Sequence, residues 1–109
     1  MMSTQHAKTI GDLISNAHQG VTRTGYIDGR HHTDRLSEAV EMIKDHRKDE
    51  AVEMLVRVVA AAEAEQNYTR SPQPDPTGFT VLVLLLWDMG RDEDAETVQA
   101  RFTRTPLAA

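Results

Sequence analysis

Ala51-Val52-Glu53-Met54-Leu55-Val56-Arg57-Val58-Val59-Ala60-Ala61-Ala62 is the stretch on which the fold turns. Ala51, Met54, Leu55, Val58, Val59 and Ala62 fall at i, +3, +4, +7, +8 and +11, which lays an apolar stripe along one side of an α-helix. Glu53 and Arg57, four apart, add weak support as an opposite-charge pair. The helix is expected to fade near Gln66 to Tyr68. Upstream, the polar run Lys44-Asp45-His46-Arg47-Lys48 breaks the chain. Before that break, Leu36, Val40 and Ile43 at i, i+4 and i+7 mark another helix, with Thr33 or Asp34 as its cap. Together they predict a helical hairpin.

Downstream, Ser71-Pro72-Gln73-Pro74-Asp75-Pro76 cannot be helix interior, because each proline lacks a backbone donor and biases its predecessor towards extended geometry. Residues 69–76 therefore read as a linker that ends in a helix start, with Asp75 as N-cap and Pro76 in the first turn. Phe79-Thr80-Val81-Leu82-Val83-Leu84-Leu85-Leu86-Trp87 is apolar nearly all round, and periodicity alone fits a buried strand or a helix. The start signal before it and Met89-Gly90-Arg91 after it decide for helix. Apolar on every face, it is expected to be the central helix of the core, with Trp87 and Met89 inside. A last helix opens on Asp92-Glu93-Asp94, acids suited to the positive end of the helix dipole, and stops before Pro106.

Residues 1–32 read as a Gly-rich N-terminal arm, since Gly11, Gly20, Gly25 and Gly29 all fall there. Residues 12–18 can make a short helix with Leu13, Ile14 and Ala17 as its stripe, too short to stand alone. Tyr26-Ile27-Asp28-Gly29 reads as a tight turn. The helical-hairpin domain is expected over 33–109.

With 109 residues this is one small domain, and scarce aromatics leave its core to Leu, Val, Ile, Met and Ala. The absence of cysteine excludes disulfide scaffolds, thiolate metal sites and thiol nucleophiles. It also favours a cytoplasmic location. The start Met1-Met2-Ser3-Thr4-Gln5-His6 has no signal pattern, and no apolar run approaches the roughly 20 residues of a membrane span. Net charge is −5, and residues 49–100 carry eleven Asp or Glu against Arg57, Arg70 and Arg91. That acidic body disfavours nucleic acid as the main partner.

No catalytic constellation is present: no phosphate loop, no dinucleotide fingerprint and no strained serine elbow. His31-His32 with Asp28 and Asp34 is the one cluster that invites a metal. Neighbouring histidines rarely reach one ion together and no His-x-x-x-His spacing exists, so no metal or other cofactor is expected. Glu63 and Glu65 point to different sides of their helix, which argues against shared acid–base work. Arg30, His31, His32, Arg35, Lys44, Arg47 and Lys48 define a candidate basic edge, the basis of an alternative reading as a nucleic-acid-associated regulator. The expected contact surface is the Gly-rich arm and what adjoins it: Tyr26, Arg30, His31, His32 and Arg35.

Two segments echo each other. Lys48-Asp49-Glu50-Ala51-Val52-Glu53 and Asp92-Glu93-Asp94-Ala95-Glu96-Thr97 each follow a break and open the second helix of a pair, with Ala51 and Ala95 matching 44 positions apart. At Gly90-Arg91-Asp92-Glu93-Asp94-Ala95 the chain resembles the tetratricopeptide turn, and His46 stands where the first unit would have its glycine. Gly25-Tyr26-Ile27-Asp28-Gly29-Arg30-His31 and residues 60–65 also resemble small tetratricopeptide-like proteins of bacteria and their phages. The resemblance spans residues 25–104. It implies an all-α array of two helical hairpins that docks on another protein as an adaptor or inhibitor. The usual aromatic at the second-helix turn is missing, with Lys48 and Asp92 in its place. Two units are fewer than such an array needs to bury its core, so a homodimer is expected.

Overall fold

Residues 9–103 are described in a computed structural model, and they are mostly helical. The order is α1 (Ile10–Ala17), a 3-10 turn (His18–Gly20), β1 (Tyr26–Ile27), β2 (Arg30–His31), α2 (His32–Lys44), α3 (Lys48–Thr69), α4 (Pro76–Asp88) and α5 (Asp92–Thr103). The stop expected before Pro106 lies outside the described residues. No helix among the described residues is long and apolar enough to cross a membrane.

Local chemistry sets the helix ends. Thr9 and Asp12 form a reciprocal capping box at α1, each side chain accepting from the other's backbone N–H. Asp75 caps α4 by accepting from the Thr77 N–H at 3.0 Å, with Pro76 in the first turn. The cap of α2 is His31, two or three residues earlier than the Thr33 or Asp34 expected from sequence. The β1–β2 turn places Asp28 and Gly29 at φ +50° and +86°, the mirror-image turn that two-residue hairpins favour.

The internal echo extends to the hydrogen bonds. At the end of α2, the His46 N–H donates to Ile43 O and the Arg47 N–H to Met42 O. At the end of α4, the Gly90 N–H donates to Trp87 O and the Arg91 N–H to Leu86 O, the same Schellman pattern 44 positions on. Each turn is then followed by the same capping bond, from the Ala51 N–H to Arg47 O and from the Ala95 N–H to Arg91 O. Arg47 and Arg91 each form an ion pair with the acid three residues later, Glu50 and Asp94. His46 takes φ +62° where Gly90 takes +75°.

Packing corrects the expected centre of the core. It is α3, and not α4, that is buried nearly all round; it contacts α1, the 3-10 turn, β1, α2 and α4. Small side chains on several of its faces (Ala51, Ala60, Ala61, Ala62) let these neighbours approach, and Gly78 of α4 lies so close that a Cβ there would fall 2.7 Å from Val58 Cγ1. Helix α4 packs on α3 and α5, which leaves its third side uncovered: Leu84 is 57% exposed and Trp87 43%.

The N-terminal segment also differs from the arm expected over 1–32. From residue 10 onward it is helix, turn and hairpin, and Ile10 and Ile14 are fully buried in the main core. Of the expected stripe, Ile14 is buried and Ala17 packs against the core, whereas Leu13 faces outward and Ile10 takes its place. Helix α1 lies against α3 and α5, and that burial supplies the stability an isolated eight-residue helix lacks. Ile27 of the hairpin is buried with Val58 and Ala61 in a smaller cluster.

A non-glycine residue in the left-handed region costs about 1–2 kcal/mol. His46→Gly is therefore expected to stabilise the fold by about 1 kcal/mol and to raise Tm by about 4–8 °C in thermal unfolding. Gly90→Ala is expected to lower Tm by a comparable amount.

Candidate functional site

Glu63 and Glu65 sit two residues apart near the C-terminal end of α3 and face different neighbours, as their spacing requires. Each gathers imidazoles, with different consequences.

Glu63 is buried at 4% exposure, and its carboxylate joins three parts of the chain. His18 Nε2 lies 2.7 Å from Oε1, while Arg101 of α5 donates through Nε to Oε2 at 2.7 Å and through Nη2 to Oε1 at 2.9 Å. Arg101 Nη1 reaches back to Ser15 Oγ and Gly11 O of α1. Burial pushes the Glu63 carboxyl up, but hydrogen bonds from His18 and Arg101 and their positive charge outweigh it and hold the group below its ordinary range.

Glu65 is shared by two consecutive histidines. His31 Nε2 lies 2.7 Å from Oε2 and His32 Nε2 2.8 Å from Oε1. Consecutive side chains of a strand point apart, but His31 ends β2 and His32 begins α2, and the change of backbone at that junction turns both rings to one side. Their centroids are 4.1 Å apart. Gly25 makes room: a Cβ there would meet His32 Cδ2 at 3.0 Å and the Glu65 side chain at 3.2 Å. Burial raises the Glu65 carboxyl, and the two imidazole hydrogen bonds bring it below its ordinary range. His31, His32 and Glu65 each offer a ligand atom, and these atoms lie within 4.8 Å of one another.

The expected contact residues therefore divide. Tyr26 is exposed and meets the His31 ring edge-on, Arg30 is exposed, and His31 is half-buried. His32 is 2% exposed and turned inward. Arg35 holds the hairpin from beneath, donating through Nε to Ile27 O and through Nη2 to Asp28 O while pairing with Glu38. Asp28 pairs with Arg57, and Asp34 is exposed on α2; neither joins the histidines, so the candidate cluster named from sequence does not assemble with those two acids. The partner that sequence reading missed is Glu65, which lies 33 residues from His32, with only the hairpin to bring them together.

The candidate basic edge is not one edge. Arg30, His31, His32 and Arg35 lie at the start of α2, whereas Lys44 is its last residue and Arg47 and Lys48 follow it, the length of a helix of about 20 Å away. Lys44, Arg47 and Lys48 pair with Glu41, Glu50 and Asp88.

A second surface lies between α4 and α5. Phe79 and Phe102 meet edge to face at 5.0 Å, and with Val83, Leu84 and Trp87 they line an open groove of about 280 Å³. Its rim is Pro76, Thr80, Gln99 and Thr103, so no lining residue carries a charge. Compared with protein-family profiles, with curated proteins and with solved structures, the chain matches none.

Because the folded Glu63 carboxyl titrates below its unfolded value, the stability it contributes is fully present above that value, about 4.3, and is lost as pH falls through the folded value. Urea titrations are expected to show this loss below about pH 4.3. Glu63→Gln is expected to flatten it and to cost about 2–3 kcal/mol at pH 7, the low side for a broken buried pair because Arg101 keeps access to water.

Proposed function

We propose that this protein is a non-catalytic protein-binding module built from two tetratricopeptide-like hairpins, α2–α3 and α4–α5, which acts as a small adaptor or inhibitor of the cytoplasm. The repeated Schellman turns and the fully buried Ala51 and Ala95 at matching positions support the hairpin reading.

The observation that carries the binding function is the α4–α5 groove with Leu84 and Trp87 standing exposed beside it. Contiguous apolar surface rimmed by polar residues marks an interaction site. The first occupant is a second copy of the chain. Protruding side chains and a recess lie in one patch, which is what a two-fold interface requires, since each copy must offer both halves of the fit. Two chains of net charge −5 repel, and a contact through a lining without charge adds nothing to that repulsion. Dimerisation in turn covers the uncovered side of α4, and the dimer presents Tyr26 and Arg30 of each copy to a further protein.

Light scattering from about 1 μM to about 1 mM is the test. A mass tending to twice 12.2 kDa is expected, with Trp87 emission shifting to the blue as the dimer forms. Leu84→Glu should return the mass to 12.2 kDa with unchanged circular dichroism. A wild-type chain that stays monomeric across that range would overturn the proposed occupant.

A further inference from the structure

We propose that His31, His32 and Glu65 form a binding site for a borderline divalent cation of the zinc class. Two imidazole nitrogens and one carboxylate oxygen are a donor set suited to such ions, and three protein ligands leave a position for water. The three donors come from the β2–α2 junction and from α3, two elements fixed independently by the core. The site is thus largely formed before any ion arrives.

The present geometry is the protonated counterpart of a metal site. An ionised carboxylate only accepts, so both imidazoles present Nε2–H to Glu65, and two protons hold the places of one cation. Tetrahedral coordination at about 2.0–2.2 Å sets neighbouring donors roughly 3.3–3.6 Å apart, so the 2.7 and 2.8 Å contacts open while the widest donor spacing, up to 4.8 Å, closes by about an ångström. Nearly a third of the Glu65 side chain and a quarter of the His31 side chain reach solvent, which gives the ion a way in and the carboxylate room to move.

Outer contacts favour the exchange. When a cation takes the two Nε2 positions, each ring proton moves to its own Nδ1; on His31, Thr33 Oγ1 lies 3.0 Å from that nitrogen and accepts it. The weaker bond from the Thr33 N–H to Nδ1, 3.4 Å long, is given up. Asp75 lines the same recess as Glu65 and adds a second carboxylate on that side of the cluster. Gly25, at φ +88°, is the position whose side chain would close the site.

The experiment is calorimetric titration of the metal-free full chain with Zn²⁺ at neutral pH, paired with visible spectroscopy of Co²⁺ and with thermal unfolding. One equivalent bound per chain is expected, with the visible absorption of four-coordinate Co²⁺ and a Tm that rises with Zn²⁺ concentration. His31→Gln and Glu65→Gln should each weaken binding by at least about 10-fold and abolish the Co²⁺ signature. His31 is partly exposed, so its variant keeps the test valid if the Glu65 variant unfolds. No binding by the wild type, or equal binding by wild type and His31→Gln, would overturn the assignment. Equal binding would place the ion at other ligands.

Discussion

A single buried carboxylate constrains the whole domain. Glu63 lies near the end of a helix that is otherwise enclosed by Val, Leu and Ala, where an unpaired charge would cost several kcal/mol. Its compensation comes from both ends of the chain, His18 from before the hairpin and Arg101 from the last helix. Arg101 then engages α1 through Ser15 and Gly11. The N-terminal segment therefore cannot stay apart from the hairpins: satisfying Glu63 brings the turn after α1 against α3, and the same guanidinium draws α1 to α5.

Much of this was legible from the residues. Pro76 after Asp75, Gly90 after Met89, and the stripe from Ala51 to Ala62 each act within one or two helical turns, and each marks an element that is present. What escaped reading depends on three-dimensional company. Alanine carries little hydrophobic weight, so Ala60, Ala61 and Ala62 did not announce α3 as the centre. Their value is that they are small, which matters only once several neighbours press in. Leu84 and Trp87 read as core because their stretch is apolar, although composition cannot say how many sides of a helix are covered. In sequence Asp12 marks a helix start, but it is the third residue inside a capping box begun by Thr9, and Ile10 therefore lies within α1.

The candidate site shows the same division. His31 and His32 were visible as a pair, but adjacency argued against their acting together. A change from strand to helix between them reverses that argument, and their common partner is distant in sequence. The linker ties this cluster to the groove. Asp75, whose carboxyl is held low mainly by the Thr77 N–H and further by the nearby imidazoles, caps the helix that carries Leu84 and Trp87, and Pro76 beside it lines the groove.

The span between Glu63 and Arg101 also has a meaning in time. The two are 38 residues apart, and a ribosome adding about 5–20 residues per second takes roughly 2 to 8 seconds to travel that distance. Throughout that interval the nascent Glu63 has His18 but not Arg101, so the end of α3 is only half compensated while its apolar sides seek cover. Its full enclosure waits on the last helix.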